Sequence, residues 1–184
     1  MTMNTEEAVD WIVRELGSDM RVGAPLGLGK PNPLLNALYA RVKRDPRLSL
    51  TLFTALSLDP PAAGSGLRKR FFGPFAERHW GKNYPKLDYV QDAKRGTLPK
   101  NVRVHEFYAQ AGAYLASPQM QRDYVSVNYT RAAETIQQMG VQLIVQLVAK
   151  RGDRYSLSCN PDLTLDVVQL YGDQPIKVLG VVHP

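Results

Sequence analysis

Residues Arg21 to Arg41, with the sequence RVGAPLGLGKPNPLLNALYAR, predict a short strand, a glycine-rich turn and a helix, in that order. The turn carries Gly23, Gly27 and Gly29, and we predict that Asn32 is the N-cap of the helix. One face of the helix is apolar and consists of Leu34, Leu35, Leu38, Tyr39 and Val42. The backbone N–H groups of such a turn can bind an anion or a polarised carbonyl. Alternatively, the glycines only allow the backbone conformation that the turn requires. Both interpretations stay open.

Two known phosphate-binding loops do not fit this turn. A Walker loop has four residues between its first glycine and a Gly-Lys pair, which Ser or Thr follows. Here five residues separate Gly23 from Gly29, and Pro31 follows Lys30. The dinucleotide fingerprint G-x-G-x-x-G fails because Asn32 stands where its third glycine belongs. The turn therefore belongs to neither class.

The composition is typical of one globular domain. A chain of 184 residues with 44% hydrophobic residues is long enough to bury a core. No apolar run reaches the roughly 20 residues of a membrane helix, and the acidic N-terminus lacks the features of a signal peptide. One cysteine and three scattered histidines provide neither a disulfide framework nor a metal-ligand spacing. We therefore predict a single domain over residues 1–184, in the cytoplasm, without a bound metal.

The positive charge is concentrated in residues 68–103, which hold ten Lys or Arg against three acidic residues. The whole chain has a net charge of +6, so the remainder is close to neutral. Such a segment can attract nucleic acid, an acidic membrane surface, a partner protein or a small polyanion. It can also be a solvated basic surface, because the sequence has no nucleic-acid-binding motif. The segment defines one alternative function, a non-enzymatic basic binding module.

Residues 48–58, LSLTLFTALSL, predict a strand over the whole stretch. Leucines occupy one face, and the other face is mostly small or hydroxyl-bearing. Ser57 lies near the carboxyl end, where open α/β sheets usually bind their ligands. The same face could instead pack against a helix.

The remaining pattern alternates helices with strands. Further strands are predicted at residues 102–108, 141–149, 156–159 and 176–182, and helices at residues 4–16, from 117, 130–139 and 163–170. Residues 67–100 are predicted to be irregular, with aromatic side chains anchored to the core and charges in water. Because helices separate the strands, we predict an α/β fold with an open, largely parallel sheet that helices cover on both faces.

Isolated candidates for chemistry give weak signals. Cys159 has no histidine near it in sequence, and a buried structural cysteine is the more common case. His105 and Glu106 are neighbours on a predicted strand, so they face opposite sides of the sheet. The aspartates in the 153–166 region match no calcium loop. Spacing alone predicts an α/β domain that binds something anionic.

Several pieces of the chain, in order, resemble the N-terminal part of the acetyl-CoA hydrolase/transferase family, which includes acetate and 4-hydroxybutyrate CoA-transferases. The pieces are Val22-Gly23, PLGLGKP at 25–31 with the leucine-rich helix, LTLFTALSLD at 50–59, YVSVNYT at 124–130, VQLIVQLV at 141–148 and DRYSLSCNPDLTLD at 153–166. They span most of the chain. The resemblance implies a CoA-transferase-like fold in a two-domain enzyme of which this chain is the N-terminal half.

The resemblance also implies a mechanism. In the family, a glutamate of the C-terminal half attacks an acyl-CoA thioester and passes through an anhydride and a glutamyl-CoA thioester. That glutamate is expected beyond Pro184, so we expect no catalytic residue in this chain and no activity of the chain alone. Coenzyme A and acyl-CoA enter as substrates, with no permanently bound cofactor. The expected partners are the carboxylate substrate, the missing C-terminal domain and further copies of the enzyme, but neither nucleic acid nor a membrane.

By the same resemblance, this half lines the acyl and carboxylate pocket. The residues carried over as substrate-binding candidates are Gly27, Gly29, Lys30, Pro31, Thr54, Ser57, Asn128 and Thr130. The family often has Ser-Pro-Asp and Gly-Tyr where this chain has Val148-Ala149-Lys150 and Arg154-Tyr155. These departures leave the acyl group, the acceptor and the choice between hydrolase and transferase open. A sugar-phosphate isomerase-like relative is a third possibility.

Overall fold

The computed structural model describes residues 3–60, 64–158, 160–174 and 176–183. Its strands are β1 (Asp19–Gly23), β2 (Ser49–Thr54), β3 (Val102–Glu106), β4 (Leu143–Arg151), β5 (Arg154–Ser156) and β6 (Lys177–Val182). Its helices are α1 (Thr5–Leu16), α2 (Asn32–Arg44), α3 (Gly66–Trp80), α4 (Asp88–Lys94), α5 (Pro118–Arg122), α6 (Tyr129–Gln138) and α7 (Thr164–Tyr171). A 3-10 turn at Gly27–Gly29 lies between β1 and α2. Cys159 lies outside the described residues.

The six strands form one open sheet in which β3, β2, β1 and β4 are consecutive neighbours. The pairs β1–β2, β2–β3, β1–β4 and β4–β6 are all parallel. The short β5 is antiparallel and pairs with the last residues of β4. The prediction of an open, largely parallel α/β sheet is therefore confirmed.

Helices pack on both faces of the sheet, as predicted. On one face, Met20, Val22 and Leu52 are fully buried in a cluster that includes residues of α1, α2 and α4. On the other face, Phe53 and Ile144 belong to a second cluster with residues of α6 and α7. Alternate strand residues point to opposite faces, so one strand contributes side chains to both clusters. Burying each large apolar side chain contributes about 1.5–3 kcal/mol.

The first helix forms as predicted, and the second begins with a different cap. Asn4 accepts a hydrogen bond from the Glu7 N–H, Glu7 accepts one from the Asn4 N–H, and Gly17 ends the helix at φ 78°. In α2, however, the N-cap is Pro31, with no side-chain cap. Asn32 is not the cap, because its side chain instead donates to Pro85 O at 2.8 Å.

The strand predicted for residues 48–58 ends earlier, at Thr54. Leu56 has φ 40°, a left-handed conformation that a strand cannot contain. Its N–H donates to Tyr108 O at 2.6 Å, so a contact with the chain after β3 draws the backbone out of the strand direction. The strand predicted at 102–108 likewise ends early, at Glu106, and β5 is displaced toward the turn after β4.

The prediction for residues 67–100 is wrong in two respects. The first residues of this segment, with Gly66 before them, form the 15-residue helix α3, although Pro74 lies inside it. None of its residues is buried, and Phe71 is 85% exposed, so its aromatic side chains are not anchored to the core. Instead they contact each other, as in the stacked pair of Phe75 and His79. Tyr89 of α4, by contrast, is 2% exposed and does anchor this region to the core.

Among the described residues, no helix has both the length and the apolar composition needed to cross a bilayer.

The exposure of α3 predicts a contrast between two truncations. Phe71→Ala should change the free energy of unfolding by less than about 0.5 kcal/mol, because the ring is 85% exposed. Leu38→Ala in α2 should cost about 2–5 kcal/mol, because Leu38 is fully buried and its removal leaves a cavity. Denaturant titration measures both. A loss of several kcal/mol for Phe71→Ala would show that α3 packs against the core.

Candidate functional site at the carboxyl edge of the sheet

The carboxyl ends of β1, β2 and β3 meet at one edge of the sheet, because the three strands are parallel and in register. Gly23 pairs with Phe53, which pairs with His105, and Thr54 pairs with Glu106. The segments that follow stay in contact, since the Ala24 N–H donates to Phe53 O at 3.0 Å. Side chains of residues 24–30, 55–57 and 106–108 therefore converge at this edge, as parallel strands require.

The turn after β1 is shaped by its glycines. Gly27 has φ 58°, which an L side chain rarely adopts. At Gly29, a Cβ would lie 2.9 Å from Pro25 Cγ and 3.0 Å from Asn160 O, so the protein itself fills the space beside it. Gly27 is therefore needed for its positive φ, and Gly29 because no side chain fits beside it.

The loop before α7 holds this turn in place. The Leu26 N–H donates to Asp162 Oδ2 at 2.7 Å, and Asn160 Nδ2 donates to Leu26 O. Asp162 also accepts from the Tyr129 hydroxyl, at 2.8 Å. Both oxygens of the Asp162 carboxylate therefore accept hydrogen bonds from the protein itself. Among the described residues, no group of three acidic or histidine side chains could hold a metal ion.

Lys30 is a buried cation at the end of the turn, with 4% of its surface exposed. Its Nζ donates to the carbonyl oxygens of Ala55 and Leu56, which directly follow β2. Burial lowers the pKa of Lys30 to about 7, although Glu106 and Asp162 oppose the shift. Near neutral pH, the Lys30 side chain can therefore be a charged ammonium or a neutral amine.

Glu106 is a buried carboxyl at the end of β3, with 2% of its surface exposed. Its Oε1 accepts hydrogen bonds from the backbone N–H of Ser57, at 3.2 Å, and from the Ser57 hydroxyl. Its Oε2 is buried and has no hydrogen-bond partner among the described residues. Burial raises the pKa of Glu106, while the bonds from Ser57 and the charge of Lys30 lower it.

Ser57 links this carboxyl to Tyr89. The Ser57 and Tyr89 hydroxyl oxygens are 2.6 Å apart. A hydroxyl has one proton, so a Ser57 that donates to Glu106 accepts the proton of Tyr89. Burial and the charge of Glu106 raise the pKa of Tyr89, which keeps its hydroxyl protonated. Burial and Glu106 raise the pKa of Tyr114 in the same way.

The structure brings together some of the residues that the sequence singled out. Half-buried Ser57 and buried Lys30 lie within one polar cluster together with buried Glu106 and Tyr89, which we call the strand-end cluster. Thr54 is 1% exposed, and its hydroxyl donates to Pro25 O at 3.5 Å, so it supports the turn.

Pro31 follows Lys30 as the N-cap of α2, and the last two predicted residues are separate from this cluster. Asn128 is the N-cap of α6, and Thr130 lies in its first turn. Both are exposed, and no contact among the described residues joins them to Lys30 or Ser57. Tyr129, between them, reaches Asp162 and so connects this segment to the glycine turn.

Glu106 and Tyr89 were not among the predicted site residues. A signal for Glu106 was present, because Val102, Val104 and Glu106 alternate on the face that packs into the core. A carboxyl at the end of a buried row is itself buried, and buried carboxyls mark functional sites. His105 lies on the opposite face, as predicted, and its Nδ1 is 2.8 Å from Asp123 O.

Solved structures of RipA have a similar architecture. The structure of RipA from Yersinia pestis matches with a TM-score of 0.61 and 15% sequence identity, over 98% of this chain and 36% of that chain. A RipA variant with a glutamate replaced by valine matches with a TM-score of 0.62 and 14% identity, over 98% and 35%. A variant with a glutamate replaced by alanine gives 0.58 and 14%, over 98% and 38%.

RipA has a CoA-transferase-like fold. This chain shares that fold. It spans little more than a third of the length of these RipA chains. No protein-family model and no curated protein matches the sequence.

The lowered pKa of Lys30 predicts a pH dependence of stability. The folded pKa is about 7 and the ordinary value is 10.5, so between these values the unfolded chain binds more protons. The free energy of unfolding should therefore rise with pH from about pH 7 to about pH 9, by up to a few kcal/mol. Lys30→Met should abolish this rise in denaturant titrations.

Lys69→Met is the matched control, because Lys69 is exposed on α3 and should leave the pH dependence unchanged. Equal slopes of stability against pH in the two variants would contradict a buried, deprotonating Lys30.

Proposed function

We propose that this chain is the N-terminal half of an acyl-CoA hydrolase or CoA-transferase of the acetyl-CoA hydrolase/transferase family. The proposal rests on the strand-end cluster, which places a lysine, a hydroxyl and a carboxyl at the carboxyl edge of a CoA-transferase-like sheet. In open α/β sheets, ligands bind at this edge. The enzyme would move CoA between an acyl-CoA and a carboxylate, or release it to water.

The chemistry proceeds through a glutamate that this half does not supply. That glutamate attacks the thioester carbonyl and expels CoA thiolate, which gives an acyl-glutamyl anhydride. The thiolate then attacks the glutamyl carbonyl, forms glutamyl-CoA and releases the first carboxylate. A second carboxylate reverses these steps, or water hydrolyses the intermediate. Splitting one exchange into such steps lowers each barrier.

The role of this half is to line the acyl and carboxylate pocket. The positive charge of Lys30 would stabilise a carboxylate that approaches Ser57, and so would the oxyanions that develop in each step. Glu106, which is buried and accepts hydrogen bonds from Ser57, would hold Ser57 in place beneath this pocket.

The second wall of the pocket would come from the other half of the enzyme. Near this edge, a cavity of about 20 Å³ lies between Pro25, Phe53 and Asp162. That volume holds about one water molecule and no acyl group. A pocket for an acyl group therefore requires a surface that faces the strand-end cluster from outside this chain.

The glutamates of this chain fit the proposal that the nucleophile lies elsewhere. Glu106 is 2% exposed and is occupied by Ser57, so it cannot reach a thioester. Glu77 and Glu134 form surface ion pairs with Lys82 and Arg131. Glu6, Glu7 and Glu15 belong to α1.

We expect no acetyl transfer from acetyl-CoA to a carboxylate by the purified 184-residue chain, and no acyl-enzyme trapped by hydroxylamine. The physical reason is that no glutamate in the chain is both accessible and placed at the sheet edge. Turnover that Glu106→Gln abolishes would place the nucleophile in this chain and overturn this part of the proposal.

We expect acetate to bind weakly and to shift the backbone NMR signals of residues 55–57 and 106. Ser57→Ala should weaken this binding several-fold, because it removes the hydroxyl that links Glu106 to Tyr89 and holds residue 57 in place. Ser126→Ala is the matched control, because Ser126 is exposed and lies outside the cluster. In the complete enzyme, the same Ser57→Ala change should raise the KM for the carboxylate acceptor. Unchanged binding and kinetics would reduce Ser57 to a packing residue.

A basic binding module is the second candidate function, because α3 exposes Arg68, Lys69 and Arg70 beside the exposed ring of Phe71. Exposed cations interleaved with aromatic rings can bind single-stranded nucleic acid. Titration with an oligonucleotide distinguishes the two functions. Affinity that falls steeply with salt, without any effect of acetate on residues 55–57, would favour the binding module.

A further inference from the structure

A second polar surface lies at the opposite, amino end of the same strands. On the sheet face that α6 and α7 cover elsewhere, the first residues of β1, β2 and β3 carry polar side chains. They line a groove of about 530 Å³, within the range of small-molecule sites. Its polar lining includes Asp19, Arg21, Ser49, Thr51, Lys100 and Arg103.

Two arginines of this groove are aligned across the sheet. Arg21 of β1 pairs in register with Thr51 of β2, which pairs with Arg103 of β3. Paired residues of neighbouring strands point to the same face, so the two arginine side chains leave the sheet on either side of Thr51. Strands are about 4.8 Å apart, which places the two arginine Cα atoms about 10 Å apart. Two long side chains at that separation can converge on one tetrahedral anion.

The donors of this groove are largely uncommitted. Among the described residues, the Arg103 guanidinium, the Lys100 ammonium and the Thr51 hydroxyl have no hydrogen-bond or ion-pair partner. Arg21 donates from Nη1 to Met139 O at 3.2 Å, which leaves further N–H groups for a ligand.

The net positive charge of the groove matches the charge of a dianion in magnitude. Asp19 is its one carboxylate; it accepts from the Ser49 hydroxyl at 2.7 Å and lies 3.5 Å from Arg21 Nη2. Three cations against this carboxylate leave an excess of two positive charges. A phosphate monoester carries about −1.5 to −2 at pH 7 and has three acceptor oxygens, which arginine forks bind in pairs.

We propose that this groove binds a phosphate monoester, with Arg21 and Arg103 on the phosphate oxygens, Thr51 as a hydroxyl donor and Lys100 at the rim. The volume leaves room for the group that carries the phosphate. The ligand is a nucleoside monophosphate or a sugar phosphate. The site is separate from the strand-end cluster, which lies at the other end of the strands, and it does not depend on the proposed transferase function.

Calorimetric titration of the 184-residue chain with AMP, ribose 5-phosphate and adenosine tests the site. We expect AMP or ribose 5-phosphate, or both, to bind saturably, and adenosine not to bind. Tighter binding of AMP supports a nucleotide ligand, and equal binding of the two supports a phosphorylated sugar. The absence of saturable binding by either phosphate would overturn the proposal.

Arg103→Gln should weaken binding of the phosphate ligand by about ten-fold, because a charge-assisted hydrogen bond is lost. Arg154→Gln on β5 removes the same charge far along the sheet, where Arg154 is also exposed, and should change the affinity less than about two-fold. Equal weakening by both variants would reduce the effect to net charge and overturn the site.

Backbone NMR locates the ligand independently. We expect shifts at residues 49–51 and 101–103 on addition of the phosphate ligand. Shifts confined to residues 30 and 55–57 would place the phosphate at the strand-end cluster and overturn the groove proposal. Neither result depends on acetate binding, so the two sites fail or succeed separately.

Discussion

Lys30 forms the contact on which the carboxyl edge of the sheet depends. Its ammonium donates to Ala55 O and Leu56 O, two carbonyls that β2 no longer uses once the chain turns away. Without this donor the buried Ala55 O would be unpaired, at a desolvation cost of about 1–3 kcal/mol, whereas Leu56 O would keep the Gly27 N–H at 3.2 Å. Burying a cation is costly as well, and this burial lowers the pKa of Lys30 to about 7. The burial of Lys30 therefore both provides a hydrogen-bond donor to the carbonyl oxygens at this edge and lowers the pKa of the lysine.

Local sequence signals predicted the parts of the fold that local physics determines. The capping box of Asn4 and Glu7, the end of α1 at Gly17 and the alternation of β2 depend on residues within a few positions of each other. The end of β2 does not, because a hydrogen bond from Leu56 to Tyr108 decides it, across about 50 positions of the chain. The same limit explains Asn32, which bonds to Pro85 and leaves the cap position.

The candidate site was half predictable for the same reason. Lys30 and Ser57 could be singled out from their stretches, but their contact with Glu106 requires the pairing of β2 with β3. The sequence places Glu106 only beside His105, and neighbours on a strand face opposite sides of the sheet, so the two predict no shared site. The position of Glu106 on the buried row of β3 is a different kind of signal, because it indicates that the carboxyl is buried without indicating its role. Periodicity can thus reveal a buried charge where motif comparison finds nothing.

Helix α3 makes its fifteen residues a segment that can open without the rest of the protein. It buries no side chain, and Pro74 removes a hydrogen bond from its middle. A helix of this length is marginal when its own hydrogen bonds are its main support. Opening it exposes no core, so its amides exchange with solvent at a small fraction of the global cost. Trypsin, which cleaves after lysine and arginine, therefore has its natural point of entry at Arg68, Lys69 and Arg70 in the folded protein.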